Sequence, residues 1–187
     1  MRRPADEELM RAVQDGDVDA FEVIVERYKL VVFNLAFSML RSREDAEDAA
    51  QDTFLKLYRA VASYDPSRLL EPWLLRIAGN TCRDRLRRRA AAALPMVRDD
   101  EAEDLSQAIE DPRAEAVFGK QATEQAVRFV VEQLSERLRT PLLLKYVNGL
   151  TNAQIAAALG ISLSNVKVRL ARGKDLLQRQ LERVLES

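Results

Sequence analysis

Apolar residues recur at helical spacing along most of the chain, interrupted by short polar or glycine-bearing breaks. Leu9 and Val13 share one side of a first segment, Asp6 to Gln14, which Gly16 ends. Asp19 and Glu22 have capping-box spacing for the next helix. There Phe21, Ile24, Val25, Tyr28, Val32, Leu35 and Met39 form one stripe, and Phe33, Phe37 and Leu40 a second. A helix apolar nearly all round belongs in the middle of a bundle. Ser42 or Arg43 opens a third helix, with Ala46, Ala49, Ala50, Phe54, Leu57 and Val61 inside. Its outer side carries Asp45, Glu47, Asp48, Gln51, Asp52 and Lys56. A loop from Tyr64 to Glu71 follows, bracketed by Pro66 and Pro72, and Pro72 suits the first position of a helix reaching Arg89.

The pattern fades between Ala90 and Glu115. Asp99 to Glu115 holds eight acidic residues against one arginine, with little apolar periodicity, so an extended linker is expected. Helical spacing resumes near Ala114 and continues through Val130 to Leu134. An interior proline costs about 3 kcal/mol, so Thr140 is expected to cap a fresh helix with Pro141 in its first turn. Thr151 then caps a short helix with Ile155, Ala156 and Leu159 on one face, and Gly160 closes it. Ser162 caps a further helix whose Val166 and Leu170 point inward. Asn165, Lys167, Arg169 and Arg172 are left for the outside, and the unit reads as a helix-turn-helix. Gly173 weakens that helix by about 1 kcal/mol relative to alanine. With no alternating Val/Ile/Thr runs, the fold class is all-α, in two helical domains.

Composition narrows the chemistry. The 187 residues leave room for one or two small domains. Cys82 is the single cysteine and cannot form an internal disulfide. It falls at helical spacing from Ala78 and Leu86, which suits a buried small apolar residue. With no histidine and one cysteine, a zinc site is excluded, and no metal or other cofactor is expected. The N-terminus runs from Arg2 and Arg3 into Asp6, Glu7 and Glu8 without the apolar stretch of a signal peptide. No apolar run is long enough for membrane insertion, and a cytoplasmic location is expected.

Charge is balanced overall, with 29 basic and 30 acidic side chains, but unevenly placed. From Arg137 to Lys174 there are seven basic residues and no Asp or Glu. Such a stretch suits a phosphate-facing surface, because cations there displace condensed counterions. An ordinary helical hairpin with solvated charges is the alternative. The helix from Trp73 to Arg89 ends in five arginines and one aspartate, and also holds Trp73 and Asn80. Those residue types suit stacking and backbone contact with a single strand, or equally a core tryptophan with a solvated tail. The acidic face of the third helix reads by itself as solvated.

Together these segments resemble the extracytoplasmic-function (ECF) group of the bacterial RNA polymerase sigma-70 family, over nearly the whole chain. Asp45-Ala-Glu-Asp-Ala-Ala-Gln-Asp-Thr-Phe-Leu is similar to the family's polymerase-binding helix. The stretch from Trp73 to Arg89 is similar to its promoter-melting and −10-reading helix. The helix-turn-helix is similar to the region that reads the −35 element. The resemblance implies a region 2-like domain over 1–90, an acidic linker over 91–115 and a region 4-like domain over 116–187. It implies a non-enzymatic sigma factor that binds core RNA polymerase, directs it to −35/−10 promoters and helps melt the DNA. A stand-alone helix-turn-helix regulator is the rival. It further implies docking of Asp45, Asp48, Gln51, Asp52 and Phe54 on the clamp coiled coil of the largest polymerase subunit, with the flap of the second-largest subunit as a further contact on the core enzyme. Tyr64, Arg68, Trp73, Arg76, Asn80, Arg83 and Arg87 would serve −10 binding and melting. Asn165, Lys167, Val168, Arg169 and Arg172 would meet −35 DNA, Val168 through a methyl contact with thymine. An anti-sigma factor is the further partner it implies. Leu69 and Leu70 depart from the family's aromatic-bearing loop, and Ser135 with Pro141 from its usual region 4 opening.

Overall fold

The computed structural model describes residues 4–92 and 130–185, and these form two compact units. No strand occurs among the described residues. The expected linker lies outside them, except that residues 91 and 92 still belong to a helix.

The N-terminal unit is a bundle of α1 (Asp6–Gln14), α2 (Val18–Leu40), α3 (Arg43–Arg59) and α4 (Leu70–Ala92). A 3₁₀ turn at Val61–Ser63 precedes the loop into α4. α2 packs against the other three helices, and α3 packs against α4. Ile24, Val32 and Leu35 of α2, Leu57 of α3, and Leu74 and Leu75 of α4 are fully buried. Each such side chain contributes about 1.5–3 kcal/mol by leaving water. α2 is less enclosed than its sequence implies, since Leu30 and Phe37 remain exposed.

The cap of α2 differs from expectation. Gly16, at φ +96°, turns the chain after α1, and the Asp17 N–H still bonds the Ala12 carbonyl. Asp17 therefore stands just before the new helix, and its carboxylate accepts from the Ala20 N–H at 3.1 Å. Asp17, not Asp19, is the cap. Ser42 caps α3, accepting from the Asp45 N–H. α1 is pinned to α2 by Asp6, which pairs with Arg27 and accepts from the Tyr28 hydroxyl. Burial and that carboxylate push the Tyr28 phenol well above its ordinary pKa.

The C-terminal part of the chain contains α5 (Glu136–Leu142), a π turn at Leu143–Val147, α6 (Asn152–Leu159) and α7 (Leu163–Leu185). Here too the sequence expectation fails. Thr140 does not start a helix; it is buried inside α5, and Pro141 follows it within the same helix. The proline supplies no N–H, and immediately after α5 the backbone widens. The Asn148 N–H bonds the Leu143 carbonyl five residues back. Gly149, at φ +70°, then ends the turn, and the Leu150 N–H returns to the Leu144 carbonyl. Val166, Leu170, Leu177 and Leu181 form the buried stripe of α7. Gly173 lies on that stripe and lets α7 approach α5 closely. A Cβ there would meet Leu142 Cδ1 at 2.9 Å.

Candidate functional site

Three surfaces carry the residues singled out from the sequence. The first is the outer side of α3. Gln51 is exposed, but each of the three aspartates has a partner on α4. Arg85 reaches Asp52 at 2.6 Å and Asp48 at 3.4 Å, and Arg89 pairs with Asp45. Phe54, expected with this docking set, is buried on the inner side of α3. Burying its large apolar ring outweighs presenting it to a partner, so Phe54 supports the face from below.

The second surface is the side of α4 that carries Arg76, Asn80, Arg83 and Arg87, with the loop before it; Arg83 there is partly buried, which pulls its pKa down from its high ordinary value. Arg76, Asn80, Arg83 and Arg87 recur every three or four residues, so one face carries all four. The Asn80 side-chain carbonyl accepts from Arg83, and Arg87 pairs with Asp84. Lys56 of α3 donates to the Thr81 hydroxyl at 3.0 Å and lies 4.0 Å from Asp84. The arginine run is thus sorted by helical geometry: Arg85 and Arg89 turn toward the α3 carboxylates, while Arg76, Arg83 and Arg87 keep to the other side. Three of the five clustered cations, Arg85, Arg87 and Arg89, are each offset by an aspartate that the fold supplies.

Tyr64 is not free to meet a strand. It is buried, its hydroxyl donates to the Arg68 carbonyl, and its ring stacks on Trp73 with centroids 5.0 Å apart. An aromatic with both a ring partner and a buried hydroxyl partner stiffens its surroundings. Trp73 is half-buried, so part of its ring remains accessible. Arg68 is exposed and lies 3.4 Å from Asp65. The Asp65 carboxylate accepts from the Ser67 N–H and hydroxyl, which together hold it below the usual carboxylate range. Gln14, which sequence reasoning missed, donates to the Val61 and Tyr64 carbonyls. The loop is therefore fixed at both ends, and Leu69 stands 73% exposed at its tip.

The third surface is the helix-turn-helix of α6 and α7. Thr151 and Gln154 cap α6 reciprocally: the Gln154 N–H bonds Thr151 Oγ1, and Gln154 Oε1 accepts from the Thr151 N–H. Gly160, at φ +66°, makes the turn, and Ser162 accepts from the Asn165 N–H at the start of α7. Lys167 and Arg172 are exposed. Arg169 is partly buried and its Nε donates to Asn165 Oδ1 at 2.7 Å. Burial, then the Arg137 charge, pulls its pKa down from its high ordinary value. Val168, expected to offer a methyl to thymine, is buried instead, where a β-branched hydrocarbon gains most. Leu163, not singled out from the sequence, is exposed at the first position of α7. Its place directly after the Ser162 cap could have revealed it.

No group of residues suited to holding a metal ion occurs among the described residues, and no described helix is long and apolar enough to cross a membrane.

Family comparison adds an independent line. The sigma-70 region 2 model matches residues 24–92 and the sigma-70 region 4 model matches residues 124–177. The ECF RNA polymerase sigma factor SigW of Bacillus subtilis is 32% identical over 92% of this chain and 94% of its own length. The chain belongs to the sigma-70 family, in its ECF group. The RNA polymerase sigma-H factor of Pseudomonas aeruginosa is 30% identical over 96% of this chain and 95% of that protein. Among solved structures, CnrH in complex with the cytosolic domain of CnrY is 26% identical, with a TM-score of 0.65 over 96% of this chain and 99% of that one. Within this ECF sigma factor, the region 2 match ends with α4, and the region 4 match takes in the helix-turn-helix through Leu177.

Proposed function

We propose that this ECF sigma factor binds core RNA polymerase, directs it to promoters with −35 and −10 elements, and helps open the duplex at the −10 element. The observation that carries the reading is the pairing, in one chain, of an Arg/Asn face on α4 with a capped helix-turn-helix whose α7 presents Asn165, Lys167 and Arg172. Arginine and lysine pair with guanine O6/N7 and asparagine with adenine in the major groove. An unstacked −10 base offers its Watson–Crick edge, and opening costs a few kcal/mol that protein contacts must offset.

In this reading the chain divides into a polymerase- and −10-binding domain (1–90), an acidic linker (91–115) and a −35-binding domain (116–187). Asp45, Asp48, Gln51 and Asp52 meet the clamp coiled coil of the largest polymerase subunit, and the C-terminal domain meets the flap of the second-largest. Trp73, Arg68, Arg76, Asn80, Arg83 and Arg87 serve the −10 strand, with Tyr64 supporting the loop. Asn165, Lys167, Arg169 and Arg172 serve the −35 duplex. The protein is not itself a catalyst, because nucleotide addition belongs to the polymerase, and it works in the cytoplasm. An anti-sigma factor is its expected inhibitor. The solved relative RpoE in complex with the anti-sigma factor NepR, 22% identical, shares the fold.

Run-off transcription with purified core polymerase and a cognate −35/−10 template tests the reading. The expected result is a specific transcript that depends on this chain. Binding to a palindromic duplex as a dimer, with no transcript from core polymerase, would favour a stand-alone regulator.

A further inference from the structure

Arg85 is where the two charged faces of the N-terminal unit meet. Its two terminal nitrogens reach carboxylates one turn apart on α3, Asp52 at 2.6 Å and Asp48 at 3.4 Å. One turn further along α4, Arg89 takes Asp45. The carboxylates assigned to polymerase docking thus already hold internal counterions. Exposure is unequal across the bridge: the Arg85 side chain is 23% exposed, against 57% for Asp48 and 47% for Asp52. A carboxylate can accept from several donors at once. An outside cation can therefore reach these carboxylates while Arg85 is still withheld from solvent, and each such cation weakens their hold on the guanidinium. The other charged groups facing this cluster are Lys56 and Asp84, which lie 4.0 Å apart, and Arg87 on Asp84.

We propose that Arg85 is a positioning residue that couples polymerase docking to strand binding: Asp48 and Asp52 hold it in the free chain, and a cationic partner surface that engages them releases its charge toward the phosphates of a DNA strand on α4. The inference rests on the reading of α3 as polymerase-facing and α4 as strand-facing. Reciprocity follows, so a bound strand also favours docking. The shared residue makes free sigma factor a weaker strand binder than its arginine content implies.

The test is a double-mutant cycle on the full chain, read by fluorescence anisotropy with a short labelled single strand of mixed sequence at low salt. The variants are Asp48→Asn with Asp52→Asn, Arg85→Gln, and all three together. Removing two negative charges tightens strand binding in any background. Release of Arg85 adds a further gain of about fivefold that is present with Arg85 and absent with Arg85→Gln. Equal gains in both backgrounds would overturn the proposal, because the carboxylates would then act only through net charge. Circular dichroism melts verify folding, and Arg85→Lys, which keeps the charge but not the two-pronged bridge, replaces Arg85→Gln should the latter unfold. With lysine the extra gain should fall below that with arginine, and an undiminished gain would also overturn the bridge. A wild-type run-off transcript without coupling sinks this inference alone. Coupling without a transcript sinks the polymerase reading and leaves the charge bridge standing.

Discussion

α4 and α7 invite comparison. Both are 23 residues long, and both place an asparagine one turn before an arginine that bonds its side-chain carbonyl: Asn80 with Arg83, and Asn165 with Arg169. They differ in what surrounds the charge. α4 carries the denser arginine run, yet Arg85, Arg87 and Arg89 all have aspartate partners. α7 carries as many cations, six in each helix, but spreads them along its length, and no acidic residue occurs between Arg137 and Lys174. Counting arginines therefore overstates the field of α4. A helix beside an acidic neighbour presents only the cations that geometry turns away from it, whereas the first half of α7, in a stretch without Asp or Glu, has no acidic residue of its own to offset its field toward a phosphate backbone.

The largest expected effect breaks this contrast at α7. Arg169→Glu should lower holoenzyme affinity for a −35-bearing duplex by about a hundredfold, since in the proposed arrangement it replaces a DNA-facing cation with an anion set against phosphates. Electrophoretic mobility shifts against salt would measure it, and an unchanged affinity would mean that α7 does not face DNA. Arg83→Glu on α4 should instead spare −35 binding and suppress −10 opening, read by permanganate reactivity of thymines.

A smaller effect concerns how α4 is seated. Cys82 is fully buried beneath the arginines, and burial pushes its thiol up to about 12, despite the opposing charges of Arg85, Arg83 and Lys56. Its folded pKa exceeds the ordinary value of 9.0, so the folded chain binds the proton more tightly than the unfolded one. The associated stability is fully present below pH 9 and is lost as pH rises toward 12. Urea midpoints across that range should fall for the wild type and fall less for Cys82→Ala, which starts lower because of the cavity it leaves.

The smallest effect concerns α7. Gly173→Ala adds about 1 kcal/mol of helix propensity. The added Cβ must also displace Leu142, which is 5% exposed, so the two contributions should nearly cancel, leaving a net change within about 0.5 kcal/mol in urea unfolding. A full gain would show that α5 yields readily.

Legibility in the sequence followed the range of the interactions. Helices set by local signals were readable: Ser42, Thr151, Gly160 and Ser162 cap or turn where their chemistry demands. Asp17 was missed because Asp19 sits in an equally good local pattern, and only the turn at Gly16 decides between them. Pro141 misled because propensity forbids an interior proline, while the buried setting of α5 and the wider turn beyond it accommodate one. At the candidate site, the stripe Arg76–Asn80–Arg83–Arg87 follows from spacing alone. That Arg85 belongs to Asp48 and Asp52 does not, because it depends on the register of α3 against α4. Phe54 and Tyr64 differ from expectation for a related reason: residue type suggests an exposed contact, and tertiary packing encloses both.

The stacking of Tyr64 on Trp73 has a practical side. Trp73 is the sole indole in the chain, so ultraviolet emission comes from one spot, beside the loop that leads into α4. Quenching or spectral shift on adding an oligonucleotide would report directly on that spot without any attached dye. During denaturation the same signal would follow the N-terminal body alone, leaving the helix-turn-helix body optically silent at those wavelengths.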